Sequence, residues 1–192
     1  MRNYPNSTLI FSVVVLGPPS DRKSQLLEAL REAADVDDPI EAMTLGSEGI
    51  AWRSIDLPLF KLGISNTHLR QAVLRIKVLD LPIDRLQLKL HLKTTEGVAF
   101  VAGTNDEGPE GNAECWRALV EVLDDPALGG RGVPLALLSG DSSDSSEVDQ
   151  FWEPPRACFD LKVFRVLRAD ESISATGLPA IVHWLQSVCS TH

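Results

Sequence analysis

Positive charge is scarce in this chain. Its 192 residues include 18 Lys and Arg against 27 Asp and Glu, which gives a formal net charge of -9 at pH 7. Nucleic acids and anionic membrane surfaces repel an acidic protein and favour clusters of Lys and Arg, and the sequence has no such cluster. The composition therefore argues against nucleic acid as a partner.

Long hydrophobic runs are also missing. Nothing in the sequence approaches the roughly 20 apolar residues that a membrane-spanning helix needs. The first 17 residues, MRNYPNSTLIFSVVVLG, contain a short apolar run without a cationic leader or a small-residue cleavage site. We expect a core strand there rather than a signal peptide, and we expect a soluble, cytoplasmic protein with no membrane insertion.

Cysteine and histidine are few and widely spaced. Cys115, Cys158 and Cys189 are odd in number and show no CxxC spacing, so they specify neither a disulfide framework nor a zinc site. The four histidines, at positions 68, 91, 183 and 192, show no ligand spacing either. The sequence therefore predicts reduced thiols and no metal centre.

What the chain has is enough apolar sequence for one well-packed core. With 44% hydrophobic residues over 192 positions, we expect a single domain spanning residues 1–192. Apolar segments of strand length alternate with segments of helical period, which is typical of an α/β protein. We predict a three-layer sandwich whose central sheet is mostly parallel, with six strands and one antiparallel edge pair.

The individual segments follow from periodicity and turn residues. Leucines 86, 88, 90 and 92 alternate as in a strand, and we assign residues 81–95 to a helix from their context. Residues 35–49 and 140–147 are predicted as mobile loops. Residues 50–60 and 72–79 are predicted as a hairpin. The other predicted strands are 9–16, 97–103, 133–138 and 159–167, and the other predicted helices are 23–34, 112–124 and 178–189.

The loop after the first strand has a distinctive composition. Residues 17–24, GPPSDRKS, match the phosphate-binding pattern GxxxxGK followed by Ser or Thr, except that Arg22 replaces the second glycine. In the complete pattern, backbone N–H groups surround the phosphates, the lysine reaches the outer phosphates and the hydroxyl binds magnesium. Gly17, Lys23 and Ser24 keep their spacing. Arg22 adds a Cβ where the backbone must approach the phosphate.

Each residue of this loop also has a structural interpretation. Lys23 and Ser24 either keep a phosphate contact or simply form the first turn of a helix that Ser24 or Asp21 caps. The prolines at positions 18 and 19 remove two N–H donors. Arg22 either reaches into the empty site and supplies its positive charge or, as we favour, lies in solvent.

Other stretches continue the pattern in the same order. They are IDLPL at 55–59, LHLKTTEGVAFVA at 90–102 and EGNAE at 110–114. Together with the loop, these stretches resemble the Ras-like small GTPases, and among them the bacterial MglA type, over residues 9–138. The resemblance implies a Ras-like P-loop NTPase fold. It also implies that Asp80 stands where the family holds magnesium through water.

The chain departs from that family at the functional positions. After Asp80, Ile83 replaces the glycine that meets the γ-phosphate, and Asp84 stands where MglA-type proteins have the water-orienting glutamine. The guanine-reading NKxD pattern is missing, and only Asp141 and Asp144 remain near its place. Asp80 is either a vestigial metal residue or, as we favour, a cap for the next helix.

The first mobile loop shows the same loss. The family has a magnesium-sensing threonine there, but Thr44 is misplaced and Trp52 occupies the nearest matching position. We therefore predict a pseudo-GTPase without catalytic residues or a cofactor, in which Gly17, Lys23, Ser24 and Asp80 are vestigial phosphate and magnesium positions. The alternatives are a divergent GTPase or ATPase that still binds GTP or GDP with magnesium, and a purely structural subunit.

The resemblance also implies how such a protein would work. We expect it to contact a protein partner through the face equivalent to the family's switch regions, residues 35–60 and 81–88, where Trp52 and Phe60 could form a binding patch. Family members suggest a roadblock-type regulator, a genuine GTPase or a homodimer as the partner. They also suggest a bacterial polarity or motility system as the setting.

Overall fold

One seven-stranded sheet organises the chain in the computed structural model, which describes residues 8–45, 50–64, 72–81, 83–102, 108–125, 133–140, 161–167 and 177–190. The strands are β1 (Ile10–Leu16), β2 (Glu41–Leu45), β3 (Ile50–Pro58), β4 (Val73–Val78), β5 (Gly97–Val101), β6 (Leu135–Gly140) and β7 (Leu161–Leu167). The helices are α1 (Asp21–Ala33), α2 (Arg85–Lys93), α3 (Gly108–Leu123) and α4 (Gly177–Ser190), with a short 3-10 helix at Leu59–Leu62.

The sheet is mixed, with the order β2-β3-β4-β1-β5-β6-β7. Strands β4, β1, β5, β6 and β7 run parallel to their neighbours, whereas β3 pairs antiparallel with β4 and β2 pairs antiparallel with β3. The hairpin predicted from residues 50–60 and 72–79 is confirmed as β3 and β4. The class is therefore α/β, as predicted.

The sheet has one strand more than the six predicted. Residues 35–49 were predicted as a mobile loop, and this prediction is wrong for Glu41–Leu45, which pairs with β3 along its whole length. Glu41 and Ala42 are exposed. A strand at a solvent-exposed edge needs no continuous apolar run, so its acidic, glycine-flanked sequence gave no strand signal.

Two apolar cores lie on opposite faces of the sheet. Side chains alternate along β1, so that Phe11, Val13 and Val15 pack with α1 and α4, whereas Val14 and Leu16 pack with α2 and α3. The central strand is thus buried on both faces, which explains its continuous apolar sequence. The predicted three-layer sandwich is confirmed in this respect.

Helix α2 resolves the ambiguous leucine pattern. Leu88 and Leu92 are four residues apart and 1% and 4% exposed, whereas Leu86 and Leu90 are 65% and 62% exposed. Residues four apart lie on the same face of a helix, so the four leucines form one buried pair and one exposed pair. The helix assignment is confirmed, with its first residue at Arg85.

We predict that alanine substitutions at neighbouring leucines of α2 have very different costs. Leu88→Ala should lower the free energy of unfolding by about 2–5 kcal/mol, because it removes a fully buried side chain. Leu90→Ala should change it by no more than about 0.5 kcal/mol, because that side chain is exposed. Urea denaturation of the two variants measures both values. Equal costs would contradict the helical assignment of this segment.

Candidate functional site

The loop after β1 lies at the carboxyl end of the parallel strands. Strand β1 has β4 on one side and β5 on the other, so the order of the strands reverses around it. In open α/β sheets, ligands bind outside the carboxyl ends of the strands at such a reversal. Gly17 directly follows β1, and Asp80 lies shortly after the end of β4 at Val78. Lys23 and Ser24 lie at the start of α1. The four predicted residues therefore converge where this architecture forms binding sites.

Gly17 approaches the backbone of β5 too closely for any side chain. Its φ is +153°, and a Cβ at this position would lie 2.1 Å from the carbonyl oxygen of Val101. A substituted residue would therefore force the loop away from β5. This contact requires glycine whether or not a phosphate ever binds.

Lys23 points back into its own loop. Its side chain is 0% exposed, and Nζ donates hydrogen bonds to the carbonyl oxygens of Gly17, at 3.2 Å, and of Pro18. Nζ also lies 2.9 Å from Oδ1 of Asp80. A lysine ammonium has three N–H donors, and these three oxygens offer an acceptor for each. The charge that would meet a phosphate is thus compensated within the chain.

Asp80 does not cap the next helix, so the interpretation favoured from the sequence is wrong. The cap of α2 is Asp84, whose Oδ1 accepts hydrogen bonds from the backbone N–H groups of Leu86, at 2.9 Å, and Gln87, at 3.2 Å. Asp84 is therefore engaged at the position where MglA-type proteins have the water-orienting glutamine. Asp80 is free to pair with Lys23 because Asp84 does the capping.

Ser24 contacts an arginine from a neighbouring strand. Nη1 of Arg53, in β3, donates a hydrogen bond to the Ser24 hydroxyl. In a complete phosphate-binding loop this hydroxyl faces magnesium. Here the guanidinium of Arg53 supplies the positive charge next to it.

Arg53 is a site residue that the sequence analysis missed. Its strand neighbours Ile55 and Leu57 point to the same face and are buried there among the residues that pack with α1. An arginine on an otherwise apolar strand face is the signal that could have found it. Such a charge needs a polar partner on the neighbouring layer.

Helix α1 is not capped by either residue that the sequence suggested. Its N-cap is Ser20, and Asp21 and Ser24 lie inside the helix, so neither of them caps it. The Ser20 side chain makes no capping hydrogen bond. The expectation that Ser24 or Asp21 caps the helix is therefore wrong.

Arg22 is buried rather than solvated, contrary to expectation. It is only 8% exposed, and Nη1 donates a hydrogen bond to the carbonyl oxygen of Ala102, 3.3 Å away. Ala102 follows β5, so the guanidinium extends toward the end of that strand. The residue that replaces the second glycine of the motif thus packs into the domain.

The remaining predicted positions are only partly described. Ile83, at the family's glycine position, is half-buried and packs against the core formed with α2 and α3. Asp141 and Asp144 lie outside the described residues, as does the predicted loop 140–147 after Gly140. Trp52 and Phe60 lie near opposite ends of β3, so they do not form one patch.

The described residues contain no candidate metal site, and comparison with known proteins assigns no family to the chain. Among the described residues, no group of three or more His, Cys, Asp or Glu could hold a metal ion. No described helix is long and apolar enough to cross a membrane. No protein-family model and no curated protein matches the chain.

We predict that two glycines with positive φ respond differently to alanine. Gly17→Ala should lower the free energy of unfolding by about 3 kcal/mol, because the new methyl group meets the carbonyl of Val101. Gly63, with φ +72° and no atom within 4 Å of a Cβ, is the control, and Gly63→Ala should cost about 1 kcal/mol. Urea denaturation without nucleotide provides the comparison. Equal costs would contradict the close approach to β5.

Proposed function

We propose that this chain is a pseudo-GTPase of the Ras-like, P-loop NTPase class, related to the MglA type, which works through protein contacts rather than nucleotide hydrolysis. Two features support the fold assignment. A mostly parallel sheet carries its antiparallel strands at one edge, and a glycine-containing loop joins β1 to α1 at the reversal of strand order. We propose a regulatory or scaffolding role in a cytoplasmic bacterial polarity or motility system.

The observation that carries this proposal is the contact between Arg53 and Ser24. A guanidinium next to the magnesium-binding hydroxyl leaves a divalent ion facing both steric conflict and charge repulsion. Magnesium could bind there only after Arg53 had moved away from Ser24. A residue of the chain itself thus supplies a positive charge beside this hydroxyl in the ligand-free loop.

The pair formed by Lys23 and Asp80 acts in the same direction. A nucleotide would have to separate the ammonium from Asp80 and from two loop carbonyls before the lysine could reach a phosphate. The lysine is fully buried, so its contacts would have to be replaced one for one. Nucleotide affinity would be reduced by the cost of that exchange.

Hydrolysis would also lack the groups that position water. Asp84 accepts two backbone hydrogen bonds as the cap of α2, which directs its carboxylate at the helix. A carboxylate would in any case repel a γ-phosphate rather than orient a nucleophile toward it. The site therefore supports no nucleotide chemistry of its own.

The surface proposed for protein contacts is the face formed by residues 35–60 and 81–88. The exposed leucines of α2 support this choice, because Leu86 lies within it and Leu90 lies one turn further on, both more than 60% exposed. Apolar side chains four residues apart on a helix can fill a groove on another protein. A roadblock-type regulator, a genuine GTPase or a second copy of the chain are the candidate partners.

One observation favours the alternative function, a divergent GTPase or ATPase. The Ser20 side chain makes no capping bond, so no serine hydroxyl competes with an anion for the first N–H groups of α1. Lys23, Ser24 and Asp80 would then bind GTP or GDP with magnesium after rearrangement. That protein would need an external arginine and another means of positioning water.

Isothermal titration with GTP, GDP and ATP in the presence of magnesium tests the proposal. We expect no binding with a Kd below about 100 μM, because Arg53 contacts the hydroxyl that would bind magnesium and Asp80 pairs with Lys23. No phosphate release above the uncatalysed rate is expected either. The same titrations on Lys23→Ala and on the control Lys93→Ala, which alters an exposed lysine at the end of α2, show whether any heat comes from the loop. Micromolar binding that Lys23→Ala abolishes and Lys93→Ala preserves would overturn the proposal.

A further inference from the structure

A second concave site lies on the other face of the same strands. A cleft of about 290 Å³ opens between the segment before β2, strands β3 and β4, and helix α2. Its walls include Trp52, Ser54, Asp56, Arg75, Lys77 and His91. Because neighbouring residues of a strand point to opposite faces, Arg53 contacts the loop site whereas Trp52 and Ser54 line the cleft. The two sites are therefore separated by the sheet.

Two of the charged residues in the cleft compensate each other. Nε and Nη2 of Arg75 donate hydrogen bonds to Oδ1 and Oδ2 of Asp56, both at 2.8 Å. This is the two-bond geometry in which guanidinium and carboxylate fit best. The side chains are 12% and 14% exposed, so the pair is sheltered from solvent. Neither charge is left to attract a ligand strongly.

Lys77 is the other cation in the lining of the cleft. It is half-buried, and its ammonium makes no hydrogen bond or ion pair with any residue that the structure describes. Burial lowers its pKa from 10.5 and the neighbouring Arg75 lowers it further, whereas Glu96 and Asp56 act in the opposite direction. Oε2 of Glu96 is itself engaged, because it accepts a hydrogen bond from the Ser12 N–H at 2.5 Å. A sheltered ammonium with one positive charge therefore faces the cleft.

Two aromatic rings form a wall beside this charge. The rings of Trp52 and His91 meet edge to face, with centroids 5.4 Å apart and an angle of 71° between their planes. Burial lowers the pKa of His91 below 6.5, and the charge of Lys77 lowers it further, so the imidazole is neutral at pH 7. The wall thus offers planar, uncharged surface, and Lys77 remains the only uncompensated cation among the described lining residues.

The lining of the cleft also carries charge of the opposite sign. Asp38 and Glu41, before and at the start of β2, belong to it, and Glu41 is exposed. Carboxylates in the lining repel a ligand that bears several negative charges, such as a polyphosphate. A single negative charge directed at Lys77, carried on an uncharged body, avoids most of that repulsion.

We propose that this cleft is a binding site for a small monocarboxylate with a planar, apolar body. The carboxylate pairs with the Lys77 ammonium, and the planar body packs against the rings of Trp52 and His91. The volume suits a compact ligand, since it lies at the lower end of the range for small-molecule sites. This proposal does not rest on the proposed function, because the loop site lies across the sheet.

Chemical-shift titration of the 15N-labelled protein tests the site, with benzoate as the probe. We expect saturable shifts at the Trp52 indole N–H and at the amides of Ser54, Lys77 and His91, with a Kd of about 1 mM for a ligand this small. Benzylamine, which has a similar ring and the opposite charge, should bind more weakly than benzoate, because the Lys77 ammonium repels its amine. Pyrophosphate should give no saturable shifts, because the carboxylates of the lining repel its several negative charges.

Matched lysine variants identify the charge responsible. Lys77→Met should weaken benzoate binding by about tenfold or more, because it removes the charged partner of the carboxylate. Lys93→Met, which removes an exposed lysine from the end of α2, should leave the affinity unchanged. Benzylamine binding as tightly as benzoate, shifts outside the cleft, no saturable shifts, or full affinity in Lys77→Met would each overturn the proposal.

Lys77 should also reduce the stability of the ligand-free protein, as groups held ready for a ligand often do. The pKa of Lys77 is lower in the folded chain than its unfolded value of 10.5. Between the folded and the unfolded pKa, unfolding therefore takes up a proton. In that pH window the stability of the wild type rises with pH. Below that window the cost of the sheltered charge is fully present. Lys77→Met should therefore raise Tm at pH 7.

Circular dichroism between pH 7 and pH 11 measures the difference in Tm between Lys77→Met and the wild type. This difference shows whether the stability of the wild type rises with pH. It should shrink as the wild type loses its charge at alkaline pH. Lys93→Met corrects for the general effect of removing one positive charge. A Tm at pH 7 that is equal to or below that of the wild type would contradict an uncompensated ammonium in the cleft.

Discussion

The buried ammonium of Lys23 is the constraint on which the loop depends. An ammonium out of contact with water must find an acceptor for each N–H, and here the carbonyls of Gly17 and Pro18 and the carboxylate of Asp80 provide them. These contacts join the start of α1 to the ends of β1 and β4. The close approach of Gly17 to β5 adds the fourth element to this junction. The loop keeps its shape through contacts within the chain, so its shape alone is no sign of a nucleotide.

Strand β3 distributes three consecutive residues between two different environments. Arg53 reaches Ser24 on the face covered by α1, and Trp52 and Ser54 line the cleft on the face of α2. The register that brings this about is fixed by pairing with β4, in which Arg53 lies opposite Val78 and Ser54 opposite Lys77. A shift of one residue would exchange the two faces and place the guanidinium in the cleft. The hairpin register therefore controls both sites at once.

The sequence was sufficient for those features that depend on local pattern. The alternating leucines of α2 were ambiguous, and the helix there was predicted from its context. The apolar run of β1 did predict a buried strand, because burial on both faces leaves a continuous apolar trace. Strand β2 left no such trace at an exposed edge. The phosphate-loop motif and the family resemblance also grouped Gly17, Lys23, Ser24 and Asp80, and the structure brings them together at the carboxyl edge of the parallel strands. The sequence did not show that Asp84 rather than Asp80 caps α2, and it did not identify Arg53 as a site residue. Each of these contacts depends on which side chains meet in space.

The two sites differ in whether the groups that would meet a ligand are already engaged within the chain. In the loop, Lys23 has Asp80 and Ser24 has Arg53, so a ligand must first displace a partner that is always present at high local concentration. In the cleft, Arg75 has Asp56 but Lys77 has no ion-pair partner among the described residues. A ligand there adds an interaction without breaking one. The ligand proposed for the cleft therefore displaces no described contact of Lys77, whereas a nucleotide with magnesium would have to displace both the Lys23–Asp80 pair and the contact between Arg53 and Ser24.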